Sequence, residues 1–432
     1  MDRHFRGIIG TAYVLTLEIS YHSLHQVSNI TERIALANFY RQDPALFAGR
    51  IQAAIDLVRE MDNVDPEKVA IVGYCFGGTG VLQYGMQGVN NVSAIVSIHG
   101  GLPYVLDQPA LFEVAPPILI LSGGEDDASS DIMAIEKTLD FVNATWEINR
   151  YSDIQHAWTV WADERYDEFA DMRTWDSMVH WLNEVFGFTV YESGEPEEFE
   201  VEAVNYTDID GMELTGYLAV PNTTEWVFPA PAVVLIPDWD GVNTYEKKRA
   251  TMLAELGYIA FAADIFGSDL QENLPIDVRI NQTNLYRGDQ DLFVQRMARA
   301  VELLKEHPLV DNDNIAMFGY CFGGTGMIYY AFSDRDDVKL VASFHGGLAN
   351  LPEEIPEQIV PYVLILSGGD DDDAHGNQTI LEEALDSGNA KWEITRWSGV
   401  DHGFTSWTSP AYNVRADVRS WEQTLTASKY PQ

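Results

Sequence analysis

The sequence predicts two α/β domains in tandem, each with a mostly parallel sheet flanked by helices. Three observations support this fold class. Segments of the first 190 residues recur with a constant offset of 246, short apolar segments alternate with helical patterns, and the octapeptide GYCFGGTG occurs at 73–80 and again at 319–326. Internal similarity of this kind indicates two homologous units. Alternating strands and helices are typical of a parallel sheet.

We expect the chain to divide into an incomplete unit one at 1–190, an acidic linker at 191–200 and a complete unit two at 197–432. Unit one repeats only the part of unit two that follows residue 275 or so, and it should therefore lack the first strands. Its sheet is then expected to have an open edge beside the strand that leads to Cys75. Residues 8–16 are a candidate replacement strand.

Within unit two, apolar segments of five to seven residues predict strands between longer amphipathic patterns. The predicted strands are 214–220, 231–236, 258–263, 315–319, 339–344, 361–366 and 391–397. A helix is predicted over 287–306, where apolar residues recur at near-helical spacing.

Composition limits the possible partners. The chain of 432 residues has 26 Lys and Arg against 67 Asp and Glu, a formal net charge of −41. So acidic a surface repels nucleic acid and anionic lipid, and we expect neither as a partner. With no apolar segment of about 18 residues, we expect a soluble protein. A cytoplasmic location is favoured, although seven Asn-x-Ser/Thr sites leave a secretory route open.

The segment IAMFGYCFGGTG predicts a strand, a tight Gly-x-Cys-x-Gly turn and a helix. This is the pattern of a nucleophile elbow, with Cys321 in the nucleophile position. A helix N-terminus favours the thiolate, and the backbone N–H of Phe322 would face a developing oxyanion. A buried, inert cysteine is the alternative. It is disfavoured because the only other cysteine of the chain, Cys75, occupies an identical turn.

The residues after Cys321 supply an acid and a base in the chain order of an α/β-hydrolase triad. The strand PYVLIL ends in SGGDDDD, where Asp371 is the first candidate acid and Asp372 the second. The base is predicted to be His402, in the loop WSGVDHGFTSW. The histidine would take the thiol proton, and the carboxylate would hold its tautomer.

Unit one offers the same order in Cys75, Asp126 and His156, a second copy that we expect to be weak or inactive. His99 and His345 are rival bases, but each directly follows a strand and precedes the acid in sequence. We interpret them as structural or site-lining residues.

His375 lies in a run of aspartates, where a calcium loop is conceivable. The spacing lacks the EF-hand pattern, and a solvated acidic loop is the favoured interpretation. We expect no metal site.

These residues resemble the dienelactone hydrolase family, a branch of the α/β-hydrolases. The motifs that carry the resemblance are GYCFGG, the HGG after the next strand, the SGGDD loop, the DHGF loop and PDWDGVN at 237–243. The resemblance implies a triad of Cys321, Asp371 and His402. It also implies cleavage of a small ester or lactone through a thioester acyl-enzyme, with no metal and no organic cofactor.

The PDWDGVN loop departs from the family pattern. Family members commonly have Gln-Glu at its start, and by position the resemblance implies that Asp238 replaces the glutamate beside the resting nucleophile and substrate. It also implies that the N–H of Trp239 is the second oxyanion donor. Ser406 stands where dienelactone-specific members have an arginine.

Arg287 remains a candidate for binding an anionic group of the substrate. The simpler interpretation is an arginine at a helix start, paired with Asp289 or Asp291.

Activity is expected mainly in unit two, because unit one has no counterpart of the PDWDGVN loop. Losing one oxyanion donor typically costs about 10²–10³ in turnover. An alternative function is a non-catalytic module that binds a small molecule or a partner. A third is acyl transfer to an acceptor other than water. The oligomeric state is left open.

Overall fold

The computed structural model describes residues 29–88, 91–106, 116–222, 224, 226–271, 273–349, 351–371 and 377–428. The chain forms two compact units, 1–190 and 191–432. The candidate strand at 8–16, the candidate acid Asp372 and His375 lie outside the described residues.

Unit one contains a four-stranded sheet in which every described pair is parallel. The strands are β1 (Ala70–Tyr74), β2 (Ala94–Ile98), β3 (Ile118–Gly123) and β4 (Trp146–Tyr151). They pair in the order β1-β2-β3-β4. In the part of unit one that the structure describes, β1 has a partner on one side only, and Val72 and Tyr74 are 38% and 44% exposed. The predicted open edge is therefore present.

The helices of unit one are α1 (Ile30–Arg41), α2 (Pro44–Arg59), α3 (Phe76–Met86), α4 (Pro103–Leu106), α5 (Ser129–Phe141) and α6 (Glu168–Val185). Three of them, α1, α2 and α6, begin at a residue whose side chain caps the helix. Asp43 caps α2 by accepting a hydrogen bond from the Leu46 N–H, and Asp167 caps α6 in the same way. The helix α2 buries Phe47 and Ile51 in the core.

Unit two has eight strands in a mixed, mostly parallel sheet. They are β5 (Glu202–Thr207), β6 (Glu213–Ala219), β7 (Ala230–Ile236), β8 (Ile259–Ala262), β9 (Val310–Tyr320), β10 (Leu340–Phe344), β11 (Tyr362–Gly368) and β12 (Trp392–Trp397). Their order is β12-β11-β10-β9-β7-β8-β6-β5, with antiparallel pairing only at β5–β6 and β6–β8. The predicted α/β fold class is confirmed.

The helices of unit two are α7 (Thr244–Glu255), α8 (Ile276–Gly288), α9 (Gln290–Lys305), α10 (Phe322–Ala331), α11 (Asn377–Ser387) and α12 (Val414–Ala427). The helix predicted over 287–306 is present as α9, but it begins at Gln290, because Asp289 ends α8 and caps α9 by accepting from the Leu292 N–H at 3.0 Å. Arg287 therefore lies in the last turn of a helix and not at a helix start.

All seven strands predicted in unit two are present, and two details differ from the prediction. The strand β9 begins at Val310, earlier than expected, because its first residues pair with Ala230 across a register shift. The hairpin strand β5 was missed because it is mostly exposed and has little apolar alternation.

The acidic segment 191–200 contains no helix or strand, and it packs against α7. Glu195 forms an ion pair with Lys248 at 2.6 Å, and the Glu200 N–H donates to Thr251 at 3.0 Å. These contacts hold the segment to unit two.

No helix within the described ranges is long and apolar enough to cross a bilayer.

Candidate active site

Both cysteines occupy a strained turn between a strand and a helix. Cys321 has φ 50° and ψ −105°, and Cys75 has φ 53° and ψ −117°. Side chains other than glycine rarely adopt positive φ, and such strain is concentrated at functional turns. A Cβ at Gly319 would lie 2.2 Å from the Gly323 carbonyl oxygen, so only glycine fits at this position, two residues before Cys321. The turn has the geometry of the predicted elbow.

The glycine two residues after each cysteine has a different environment in the two units. A Cβ at Gly323 would lie 2.4 Å from the carbonyl oxygen of Ile236, at the end of β7, and the Gly323 N–H donates to the Pro237 carbonyl at 3.0 Å. At the equivalent Gly77, no described atom lies within 4 Å of that position. The strand that makes Gly323 necessary has no counterpart among the described residues of unit one.

In unit two, the structure brings the three predicted triad residues together. The Nε2 atom of His402 lies 3.0 Å from the Cys321 sulfur, and Nδ1 lies 2.9 Å from an oxygen of Asp371. Burial lowers the pKa of His402, but hydrogen bonds to Asp371 and to Cys321 outweigh burial and raise it to about 10. The imidazole can therefore hold a proton next to the sulfur.

Unit one repeats this arrangement. His156 Nε2 lies 2.9 Å from the Cys75 sulfur, and Nδ1 lies 2.8 Å from Asp126. Hydrogen bonds to Asp126 and Cys75 raise the pKa of His156 to about 10. Burial would raise the pKa of Cys75, but the hydrogen bond and charge of His156, the N–H of Phe76 and the charge of Arg41 together lower it.

The two rival histidines position the nucleophile's backbone. The N–H of Cys321 donates to His345 Nδ1 at 3.2 Å, so Nε2 carries the ring proton and faces the Thr405 hydroxyl at 2.8 Å. Burial, together with the charge of His402, lowers the pKa of His345 well below its ordinary value. A neutral ring whose Nδ1 is already engaged is a poor general base.

The same contacts recur in unit one. His99 Nδ1 accepts from the Cys75 N–H at 3.0 Å, and Nε2 faces Thr159 at 2.9 Å. Burial and the charge of His156 lower the pKa of His99 to about 4. Both histidines therefore support the elbow and line the site.

The loop after β7 places a buried carboxyl near Cys321. The pKa of Asp238 is raised well above its ordinary value by burial, by a hydrogen bond with the Asp240 side chain and by the nearby charges of Glu246 and Cys321. Its Oδ1 accepts from the Asp240 N–H at 3.0 Å. Asp238 is thus close enough for the sulfur to influence its pKa, while its hydrogen bonds join it to its own loop.

Trp239, the predicted second oxyanion residue, packs partly buried against the core of unit two. The guanidinium of Arg279 lies 5.6 Å from the centre of its indole ring, and Arg279 also forms an ion pair with Asp240 at 3.5 Å. The Phe322 ring stacks on Phe293 with centroids 4.4 Å apart. These contacts hold the backbone at Trp239 and at Phe322, the two residues whose N–H groups were predicted to bind the oxyanion.

Arg287 does not join this site. It is exposed, and among the described residues it makes no hydrogen bond or ion pair to the triad. It also forms no ion pair with Asp289 or Asp291, the alternative that its sequence position suggested. The capping role of Asp289 explains this, because that carboxylate is engaged by the N–H of Leu292.

A buried ionic network beneath the histidine loop was not predicted from the sequence. Arg249 on α7 forms an ion pair with Asp417 on α12 and donates to the carbonyl of Thr405 at 3.2 Å. The Tyr245 hydroxyl donates to the Thr405 side chain at 2.8 Å. Asp417 also recurs in unit one as Asp171, and this repetition was the one signal that could have drawn attention to it.

Comparison with known proteins assigns the family. The sequence profile described as "Dienelactone hydrolase family" matches residues 25–186 and 214–429, which together make up most of the chain. The chain belongs to the dienelactone hydrolase family. This membership places it among the hydrolases, as predicted.

Individual dienelactone hydrolase relatives are distant in sequence. A protein of Bradyrhizobium sp, named as a probable 2-oxo-3-(5-oxofuran-2-ylidene)propanoate lactonase, is 26% identical over 238 residues, covering 52% of this chain and 94% of its own. A candidate carboxymethylenebutenolidase of Aquifex aeolicus is 26% identical over 224 residues, covering 49% and 91%.

Among solved structures, a dienelactone hydrolase-like promiscuous phosphotriesterase named P91, from metagenomic libraries, is 26% identical with a TM-score of 0.49. It covers 54% of this chain and 98% of its own. These relatives are matched over almost their whole length by about half of this chain.

Proposed function

We propose that unit two hydrolyses a small carboxylic ester or lactone, with Cys321 as nucleophile, His402 as general base and Asp371 as the carboxylate that orients it. The observation that carries this proposal is the continuous contact from sulfur to imidazole to carboxylate, 3.0 Å and 2.9 Å long, at a strained elbow. Membership of the dienelactone hydrolase family and the names of the two relatives support the substrate class.

The reaction would proceed through a thioester. His402 takes the proton of the Cys321 thiol as the sulfur attacks the carbonyl carbon and forms the C–S bond. The protonated imidazole then gives that proton to the leaving alkoxide oxygen as the C–O bond breaks. Water, deprotonated by His402, attacks the thioester, and the sulfur leaves to regenerate the thiol.

The oxyanion of each tetrahedral intermediate would be bound by the N–H groups of Phe322 and Trp239. The Phe322 N–H lies in the first turn of α10, where backbone donors have no partner within the helix. The hydrogen bond from the Gly323 N–H to Pro237 ties the Trp239 loop to this turn. This link supports a fixed geometry for two donors from different elements.

We further propose that residues 197–432 are the complete catalytic domain, that 191–200 is a linker and that 1–190 is an incomplete copy. Most turnover should then come from unit two. In unit one, the described residues offer no loop equivalent to 237–243, so the stabilisation from a second donor is missing there. One missing donor corresponds to about 10²–10³ in turnover.

Steady-state hydrolysis of p-nitrophenyl acetate and of the lactone dihydrocoumarin tests the proposal. Cys321→Ser should lower kcat/KM by about 10²-fold or more, leaving only what unit one supports. Cys75→Ser is the matched control and should retain most of the turnover. A Cys321→Ser variant with nearly full activity, or a Cys75→Ser variant without activity, would contradict the assignment.

The acyl-enzyme can be tested directly. The full chain is mixed with p-nitrophenyl acetate, the reaction is quenched rapidly with acid, and the peptides are mapped. The acetyl group should be found on Cys321. His402→Gln should lower the rate of its formation by about 10²–10⁴. Failure to hydrolyse any activated ester would favour the binding-module alternative.

A further inference from the structure

The two cysteines have matching triads but differ in the charged groups around them. Near Cys321 lies the carboxyl of Asp238, whose raised pKa has the charge of the sulfur among its causes, after burial, a hydrogen bond with Asp240 and the charge of Glu246. Asp238 belongs to the loop after β7 and shares this region with Asp240 and Glu246. The elevated pKa values of Asp238 and Glu246 mean that these carboxyls tend to hold a proton, so unit two has a cluster of acidic groups where unit one has none among its described residues.

Cys75 has cationic neighbours instead. The guanidinium of Arg41 lies 4.3 Å from the centre of the Tyr104 ring and 5.6 Å from that of Phe76, the residue after the nucleophile. Its buried Nε–H has no hydrogen-bond partner among the described residues. Arg165 on the loop before α6 also interacts electrostatically with Cys75.

Only one of these two cations keeps its residue type in unit two, and the structure places it differently. By the offset of 246, Arg165 corresponds to Ala411 and Arg41 to Arg287. Arg287 is exposed at the end of α8 and has no aromatic ring beneath it among the described residues. The difference between the units is therefore built from identifiable substitutions and from the missing loop.

The ionisable groups that face Cys75 from the elements around it are few: His156 after β4, Asp126 after β3, His99 after β2, Arg41 on α1 and Arg165 before α6. The aspartate is paired with His156, and His99 is neutral because burial lowers its pKa to about 4. Arg165 forms an ion pair with Asp163 at 2.7 Å, which leaves His156 and Arg41 as the cationic neighbours that act on Cys75. They agree with the lowered pKa of Cys75.

We propose that Cys75 and His156 form a second reactive site, which in the resting protein adds covalently to α,β-unsaturated carbonyl compounds. This activity is separate from ester hydrolysis in unit two and does not depend on it. The site is reachable, since Cys75 is half-buried and the His156 side chain is 32% exposed. The open edge at β1 leaves Tyr74 exposed beside the sulfur.

The addition balances without any further reactant. The Cys75 thiolate forms a C–S bond to the β-carbon, and the π electrons of the C=C bond move to the α-carbon and carbonyl oxygen. The protonated His156 then gives its proton to the α-carbon. The product is a saturated thioether with neutral His156, and no oxyanion hole of the acyl-transfer kind is needed.

The test is alkylation of the full chain with acrylamide, with the adducts at Cys75 and Cys321 counted separately by peptide mapping. At pH 6, an ordinary thiol with a pKa of about 8.5 is ionised in only about 0.3% of molecules. A thiolate of lowered pKa gains from ionisation but loses about tenfold in intrinsic nucleophilicity. We expect Cys75 to react at least about tenfold faster than glutathione at this pH.

The pH profile gives a readout that mere accessibility would not change. Between pH 6 and 8 the rate at Cys75 should rise less steeply than that of an ordinary thiol, which becomes about tenfold faster per pH unit. His156→Gln should slow Cys75 by about tenfold at pH 6 and restore the steep profile. If that variant fails to fold, the dependence of the wild-type rate at Cys75 on pH is by itself sufficient to test the proposal.

A second comparison isolates the arginine. Arg41→Met should slow the reaction at Cys75 about two- to fivefold at pH 6, whereas Arg33→Met on the exposed part of the same helix should leave it unchanged. A rate at Cys75 that is no greater than that of glutathione, or a rate that rises tenfold per pH unit, would overturn the proposal.

Discussion

The glycine two residues after each cysteine, Gly323 in unit two and Gly77 in unit one, offers a matched pair of substitutions. They should change stability in opposite directions. In Gly323→Ala the new methyl group would lie 2.4 Å from the Ile236 carbonyl oxygen and 2.7 Å from that of Pro237. Non-bonded heavy atoms are comfortable only from roughly 3.4 Å, so the end of β7 must move by about 1 Å. In Gly77→Ala no described atom lies within 4 Å of the added carbon.

The magnitudes follow from these distances. Forcing a methyl group into packed backbone costs typically about 1–3 kcal/mol of stability. The same movement displaces the loop that carries Trp239, and a misplacement of about 1 Å can cost roughly 10²-fold in rate. In α3, by contrast, replacing glycine with alanine removes an unfavourable helix residue and should stabilise by a few tenths to about 1 kcal/mol.

Urea unfolding followed by tryptophan fluorescence gives the stability, and p-nitrophenyl acetate hydrolysis gives kcat/KM. Gly323→Ala should lose about 10²-fold in kcat/KM together with stability, whereas Gly77→Ala should keep turnover and gain stability. Equal losses for the two variants would refute the reasoning. So would a Gly323→Ala variant that hydrolyses the ester at the wild-type rate.

Three further predictions concern unit two. Asp371→Asn should lower kcat/KM for p-nitrophenyl acetate by about 10²–10⁴, because the amide no longer stabilises protonated His402; unchanged kinetics would exclude the role. Burial and the charge of Asp240 raise the pKa of Glu246 from 4.5 to about 8. Between these two pH values the folded state retains a proton that the unfolded state releases. The free energy of unfolding should therefore fall as the pH rises from about 4.5 to 8. Glu246→Gln should flatten that fall in urea midpoints, and an unaltered pH profile would contradict it. Arg249→Met should cost about 3–5 kcal/mol by leaving Asp417 buried without its cation, and adding Asp417→Asn should recover part of the loss in thermal melts; a fully additive double variant would argue against coupling.

The local sequence predicted the elbow well because consecutive residues determine its geometry. The strand, the cysteine at positive φ and the glycine that fits beneath the helix all lie between 315 and 324. The candidate triad was predictable for another reason, since the carboxyl ends of neighbouring parallel strands meet at one edge of a sheet. Asp371 and His402 follow two such strands, β11 and β12.

What the sequence did not predict depends on contacts between distant elements. The ion pair between Arg249 and Asp417 joins residues 168 positions apart, and no local pattern distinguishes these two from surface charges. The break between α8 and α9 was missed because the apolar periodicity continues through it, and only the capping bond of Asp289 reveals it. The exposed strand β5 forms because it pairs with β6, and its own sequence has too little apolar alternation to predict it.

The loop after β7 explains why an identical octapeptide has different surroundings in the two units. In unit two this loop makes Gly323 sterically necessary, places the Asp238 carboxyl near the sulfur and carries the Trp239 N–H that we propose as an oxyanion donor. Among the described residues of unit one, none of these three contributions has a counterpart. The triad contacts nevertheless persist there, at 2.9 and 2.8 Å, with arginines nearby. The missing oxyanion donor weakens ester turnover, whereas the contact between Cys75 and His156 does not depend on this loop. Ester turnover and the reactivity that we propose at Cys75 are therefore separable, because only ester turnover needs the loop after β7.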